Sequence, residues 1–232
     1  MNVKIISDST CDLSSELVSR YDIEIVPLSV ILGDFTGRDG IEVTPAKIYQ
    51  HVAECKELPK TSAVNTEEYV RVFRSWREKG YSIVHYCISS EFSSCYQNAC
   101  VAAGEFENVF VVDSESLSTG IGHLVLDAAE MAEQGASAKE IFDALEEKKK
   151  HLDVSFVLNT LDYLKKGGRC TSVQALGANL LPGDELLSPN GAPYDTLEEV
   201  IGIRESKCSL KEYGVSYRQV DLLPDGTFDF EG

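Results

Sequence analysis

Positive charge is scarce in this sequence. Its 232 residues carry 21 Lys and Arg against 38 Asp and Glu, a net charge of −17. An acidic surface repels phosphate backbones and anionic lipid, which argues against nucleic acid and anionic membrane as partners. No apolar run approaches the roughly 18 residues that a membrane helix needs. Residues 1–6 lack the long apolar region of a signal peptide, so the chain reads as cytoplasmic. The seven cysteines (Cys11, Cys55, Cys87, Cys95, Cys100, Cys170 and Cys208) are scattered and contain no C-x-x-C pair. That pattern gives neither a disulfide framework nor a zinc site, and the thiols read as small buried hydrophobes in a reducing compartment. Glycine loops for phosphate are missing too: there is no G-x-G-x-x-G and no G-x-x-x-x-G-K-[ST]. Gly120-Ile121-Gly122 lies inside a helical pattern and reads as close helix packing. No metal set and no cofactor motif appears.

What is present is an ordinary globular composition, 43% hydrophobic and 25% charged. Short β-rich runs alternate with helical patterns. Residues 3–7, 23–32, 82–88 and 108–113 read as strands, with Pro27 marking an edge or a break in the second. Residues 35–43 read as a hairpin arm after Gly33-Asp34, and Thr44-Pro45 opens a helix. Residues 58–65 read as a connecting loop. Tyr69, Val70, Phe73 and Trp76 share one helical face and read as core, and Gly80 ends that helix. A long helix spans about 117–133, and Ser137-Ala138-Lys139-Glu140 is a capping box for the next. Further on, 154–158 reads as a strand, 160–166 and 171–181 as helices, and 200–203 and 215–223 as packable runs. The tail from Pro182 holds four of the seven prolines. The expected architecture is a Rossmann-like α/β domain with a parallel sheet over 1–150, followed by a smaller, incomplete α+β second domain over 151–232.

The stretch from Ser82 to Gly104 organises this reading. A buried strand runs into Ser89-Ser90-Glu91-Phe92-Ser93-Ser94, and a helix follows whose start Ser93 or Ser94 caps. Free backbone N–H groups at a helix start suit an anion or polar head group. In parallel α/β sheets ligands bind beyond the carboxyl ends of the strands. Three such ends here, Asp8-Ser9-Thr10, Ser89 to Ser94 and Asp113-Ser114, are small, polar and rich in hydroxyls. Ser93 lacks a G-x-S-x-G elbow. Of the four histidines, His85 falls in a buried strand and His123 in a helix, while His51 and His151 complete the set. A hydroxyl-lined pocket without a strong base, metal set or phosphate loop looks more like a binding site than a reaction centre. The alternative is a small hydrolase or phosphotransferase that uses Ser93, or Asp8 as an aspartyl nucleophile; a turn-forming, helix-initiating Asp8 is the plainer role.

Several ordered segments carry a family resemblance. They are residues 6–13 (Ile-Ser-Asp-Ser-Thr-Cys-Asp-Leu), Val26 to Val30, Arg38-Asp39-Gly40, Leu58-Pro59-Lys60-Thr61-Ser62, Ile88 to Gln97, Val112-Asp113-Ser114, and Thr160 to Arg169 (Thr-Leu-Asp-Tyr-Leu-Lys-Lys-Gly-Gly-Arg). On these, over residues 1 to about 181, the chain resembles the DegV family of bacterial fatty acid-binding proteins, including the fatty acid-binding subunits of bacterial fatty acid kinase. The resemblance implies two domains with a fatty acid between them. Thr61 and Ser93 would hold the carboxylate, with backbone N–H groups near Ser62 and Ser94 assisting, and the acyl chain would lie in an apolar tunnel. It also implies a carrier without chemistry of its own, one that presents the carboxylate to a separate kinase subunit. The chain departs from the family at Glu91-Phe92-Ser93-Ser94-Cys95-Tyr96, where Gly-Leu-Ser-Gly-Thr-Tyr is usual. Beyond about residue 181 the expectation is a divergent or frame-disrupted end, which leaves a non-binding remnant as a third reading.

Overall fold

The computed structural model describes residues 2–152, 154, 161–168, 183, 185–188, 198, 201–204 and 209–219. The chain divides into two compact units, Met1–Val157 and Leu158–Gly232.

The first unit is built on a parallel sheet. Strand β1 (Val3–Asp8) pairs with β2 (Glu24–Val26) on one side and β6 (Ser82–Cys87) on the other, and β7 (Val109–Asp113) pairs with β6, all in parallel. The order is β2-β1-β6-β7. Every residue of β6 is buried, as expected for a central strand covered on both faces. Side chains alternate across the sheet. Ile5, Val84, Tyr86 and Val112 face one core, together with Ile121, Leu124 and Val125 of α5 (Thr119–Glu133) and Ile141 and Leu145 of α6 (Ala138–Lys148). Ile6, Ile83, Cys87 and Val111 face the other, against Tyr69 and Phe73 of α3 (Thr66–Glu78) and Cys95, Ala99 and Ala102 of α4 (Cys95–Ala103). The α/β class with a parallel sheet is therefore as the sequence indicates.

Local chemistry explains most of the boundaries. Ser14 caps α1 (Ser15–Arg20), Asn65 caps α3, and Ser137 and Glu140 form the reciprocal capping box of α6. Thr44 accepts from the Lys47 N–H at the start of α2 (Pro45–Cys55). After α3, Gly80 takes φ +83° and the Tyr81 N–H returns to the Trp76 carbonyl at 3.1 Å, the left-handed exit that favours glycine.

One expectation sharpens and one changes. The run 23–32 takes the break that Pro27 allowed: Pro27-Leu28 separates β2 from β3 (Ser29–Leu32), and the two belong to different sheets. Proline has no N–H to continue a ladder, so the chain turns out of the parallel sheet there. The second sheet, β4-β3-β5, is antiparallel and adds β4 (Phe35–Arg38) through the Gly33-Asp34 turn. Its third strand, β5 (Lys60–Ser62), lies inside the stretch expected to be a loop. Three exposed residues without an apolar alternation give no strand signal; pairing with β3 alone makes them one.

In the second unit, α7 (Asp162–Lys166) is a short helix, and β8 (Glu185–Ser188) pairs in parallel with β9 (Ser216–Gln219). The expected strand at 154–158 and helix at 171–181 lie outside the described residues, Val154 apart.

The start of α5 is packed unusually close. A Cβ on Gly122 would stand 2.9 Å from the Cys11 carbonyl oxygen and 3.1 Å from Leu13 Cδ2; one on Gly120 would collide with the Ser116 side chain. The helix meets the turn after β1 through hydrogen atoms. Gly122→Ala gains about 1 kcal/mol of helix propensity but must displace backbone, so we expect a net loss of about 1–2 kcal/mol, measured as a lowered urea midpoint.

His85 lies wholly inside the second core, its ring 5.0 Å from that of Tyr69 and 5.6 Å from that of Phe73. Neither ring nitrogen makes a hydrogen bond. Burial drives its pKa from the ordinary 6.5 down to about 3. Unfolding therefore takes up a proton between about pH 3 and 6.5, so stability falls as pH drops through that window. Replacement by an apolar residue, His85→Leu, should flatten this fall relative to the native chain when urea midpoints are compared at pH 7 and pH 4.5; parallel curves would refute the assignment.

Candidate functional site

The carboxyl ends of β1, β6 and β7 lie side by side, because these strands are neighbours in the sheet. Backbone groups there run out of ladder partners and must be met by side chains. Asp8 supplies the central tie. Fully buried, it accepts from the Ile88 N–H at 2.7 Å through one oxygen, and from the Thr10 N–H at 3.1 Å and the Thr10 hydroxyl through the other. It also caps the 3-10 turn Ser9–Cys11. Burial pushes its pKa up despite these bonds. Asp8 is thus the helix-initiating residue of the plainer reading, with its carboxylate committed to structure.

The neighbouring groups are tied in the same way. Ser9 Oγ donates to Asp39 at 2.7 Å and accepts from the Leu28 N–H at 3.2 Å, which fastens the Arg38-Asp39-Gly40 turn to the end of β1. Asp113 Oδ1 accepts from the N–H groups of Ser90 and Glu115, each at 3.1 Å. Lys149 Nζ donates to the Asp113 carbonyl at 2.9 Å and pairs with Glu146 at 3.0 Å and Glu115 at 3.1 Å. Burial lowers the Lys149 pKa, and the two glutamates more than offset it, so the charge is held. The Asp8-Ser9-Thr10 and Asp113-Ser114 ends are therefore bracing.

Residues 89–94 form the part of the site with capacity to spare. The Ser89 carbonyl accepts from the N–H groups of Phe92 (2.9 Å) and Ser93 (3.2 Å), and Ser89 Oγ accepts from the Glu91 N–H at 3.3 Å. The turn is closed by serine, without glycine. Ser93 Oγ accepts the first N–H of α4, that of Cys95, at 3.3 Å and donates to Cys95 Sγ at 3.2 Å. Ser94 stands at the cap position, but its side chain makes no capping bond, so of the two expected capping residues only Ser93 acts. The remaining first-turn N–H groups have no partner within the helix, and the positive end of the helix dipole points outward with them. Glu91, whose charge the sequence places beside the turn, is exposed to water, as is Phe92.

The other two expected site residues lie on β5. Thr61 stands opposite Val30 and Ser62 opposite Ser29. Successive side chains alternate, so Thr61 and Ser62 project from opposite faces of the three-stranded sheet, and both are exposed. No hydrogen bond joins either of them to Ser93 or Ser94 among the described residues. What links the two pieces is Asn98 of α4, whose Nδ2 donates to the Val64 carbonyl at 2.8 Å. The strand bearing Thr61 and the helix started by Ser93 are held together by this bond. No sequence signal marked Asn98, a polar residue in mid-helix without a motif.

No hydrogen bond joins a histidine to Ser93 among the described residues. His51 has a buried Nε2 without a partner and lies beside Gly33, His85 is enclosed by aromatic rings, His123 is exposed, and His151 faces Glu147 at 3.9 Å. Among the described residues no cluster of three or more His, Cys, Asp or Glu could hold a metal, and no helix is long and apolar enough to cross a membrane. A cavity of about 470 Å³ exists elsewhere, at the opposite end of the sheet, lined by Lys4, Arg20, Tyr21, Asp22 and Glu133 among others. It includes none of Thr61, Ser62, Ser93 or Ser94, and its Lys4 is taken up by Asp22 at 2.7 Å and the Trp76 ring at 4.0 Å.

A family model described as "Uncharacterised protein, DegV family" matches residues 2–213. The chain belongs to the DegV family. A DegV domain-containing protein of Clostridium perfringens is 32% identical over 181 residues, covering 77% of this chain and 65% of its own length. A solved DegV family protein from Thermus thermophilus, described by its fatty acid binding, superposes with a TM-score of 0.72 at 37% identity, over 78% of this chain and 65% of that one. DegV of Bacillus subtilis, described as a fatty acid binding protein, gives 0.67 at 32% identity with the same coverage. This DegV-family chain thus spans 65% of the length of these relatives.

The bracing at Asp8 can be tested directly. Asp8→Ala leaves the Ile88 and Thr10 N–H groups buried without a partner, each worth roughly 1–3 kcal/mol. We expect a loss of about 2–4 kcal/mol in urea unfolding, with Asp8→Asn, which keeps one acceptor oxygen, losing about half as much.

Proposed function

We propose that this chain binds a long-chain fatty acid in the cytoplasm, as a carrier that makes and breaks no bonds itself. The observation that supports this most is the likeness, at 37% and 32% identity, to DegV-family structures described as fatty acid-binding. The local geometry agrees with it. Ser93 offers one hydroxyl proton at the start of a helix, and Thr61 offers another on a strand tied to that helix through Asn98. In this reading Thr61 and Ser93 donate to the carboxylate, and backbone N–H groups near Ser62 and Ser94 add to them. The dipole of α4 favours the negative charge. Burial of the acyl chain in an apolar tunnel supplies roughly 0.8 kcal/mol per methylene, so the tail sets the affinity and the hydroxyls set the orientation. A carboxylate held by hydroxyls and N–H groups, with no base beside it, is stored intact. A separate kinase subunit, to which the carboxylate is presented, would carry out its phosphorylation.

Native mass spectrometry of the purified protein should show a co-purified long-chain acid, and added palmitate or oleate should bind saturably. Hydrogen bonds to a charged group contribute roughly 1.5–3 kcal/mol, so Thr61→Ala and Ser93→Ala should each weaken binding by about tenfold or more. Absence of any bound or binding acid would overturn the carrier reading; unchanged affinity in both variants would overturn the head-group assignment alone.

A further inference from the structure

Ser93 has one hydroxyl proton, and in this structure that proton is in use. It is directed at Cys95 Sγ, 3.2 Å away, while the same oxygen accepts the Cys95 N–H at 3.3 Å. Cys95 is fully buried, packed with Cys87, Ala99 and the strand residues of the second core, so its sulfur is fixed. The Ser93 N–H is bonded to the Ser89 carbonyl, so the backbone is fixed as well. The hydroxyl can therefore serve a ligand only by rotating its proton away from the sulfur. The bond it gives up is weak, since sulfur is a poor acceptor, and the bond it gains to a carboxylate is charge-assisted and roughly twice as strong as a neutral one. Rotation about the Cβ–O bond moves the proton and leaves the oxygen in place, held by the Cys95 N–H.

We propose that Cys95 is a positioning residue for the fatty acid carboxylate: its N–H fixes the Ser93 oxygen, and its thiol parks the Ser93 proton on an acceptor that a carboxylate displaces. The inference rests on the fatty acid reading and adds to it a role for Cys95. In the pair the empty site keeps its hydroxyl ordered, and the ordering yields to an anion.

This differs from a packing role in the sign of its consequences. Cys95→Ala keeps the backbone N–H and removes the competing acceptor. Palmitate binding should tighten by roughly two- to fivefold, the equivalent of one weak neutral hydrogen bond, even as the lost sulfur volume lowers the melting temperature. If Cys95 only packs, the same variant loosens the site and binding weakens. In a Ser93→Ala background the Cys95→Ala change should leave affinity unaltered, and an effect of equal size in both backgrounds would overturn the proposal. The S–H infrared band gives a readout that needs no ligand. Ser93→Ala should shift one thiol band of the empty protein, and saturating palmitate should shift the same band in the native chain. A band unmoved by Ser93→Ala refutes the contact, and a band unmoved by bound palmitate refutes the rotation. Failure of the native chain to bind palmitate at all would instead overturn the fatty acid reading on which the proposal stands.

Discussion

The buried carboxylate of Asp8 holds the functional end of this molecule together. Parallel strands finish in a row, and each leaves backbone donors that water cannot reach once loops close over them. Asp8 meets those of Ile88 and Thr10 and so locks the exit of β1 to the exit of β6. Ser9 extends the tie to Leu28 and Asp39, and Asp113 extends it to Ser90. Burial disfavours the charge on Asp8, and the donors that converge on it offset that cost only in part. The polar richness of the strand ends is thus largely spent on the fold itself. What is left over at this end is narrow: the exposed hydroxyls of β5 and the N–H groups of one helix start, with the Ser93 proton on Cys95 Sγ.

The faces of the sheet tell a complementary story of closeness. On one side α5 approaches the turn after β1 so tightly that a Cβ at position 122 would press on the Cys11 carbonyl, while one at position 120 would collide with Ser116. On the other, Cys95, Ala99 and Ala102 present small side chains to the strands, so α4 sits low and its first turn arrives level with the end of β6. That placement puts Ser93 where a strand end and a helix start meet. The same density encloses His85 and Tyr69, whose polar atoms lack partners. These groups stay neutral in the core and serve the packing of aromatic rings, well removed from proton transfer.

A site made of hydroxyls and helix N–H groups favours recognition of an anion over its transformation. Among the described residues no histidine bonds to Ser93, and the Cys95 sulfur that its hydroxyl faces is a weak acceptor beside a carboxylate. Loop closure by Ser89 shows that the turn before α4 is made by side chain-to-backbone and backbone bonds without glycine.

Much of this was legible in the amino-acid sequence. Periodicity exposed the strands and helices of the parallel sheet, because burial on one or both faces dictates where apolar residues stand. The helix starts at Thr44 and Ser137 were legible because a helix start makes the same local demand wherever it occurs. The short motifs led to the DegV family and to Thr61 and Ser93. Three features belonged to the tertiary structure alone. Strand β5 exists only because β3 lies beside it. The Asn98–Val64 bond spans 34 positions, and no local pattern encodes a donor that finds its acceptor so far away. The pairing of Ser93 with Cys95 depends on a buried sulfur held two residues on, at the one angle where a loop becomes a helix. Sequence determines which groups can hydrogen-bond; the folded chain decides which of them are left over for a ligand.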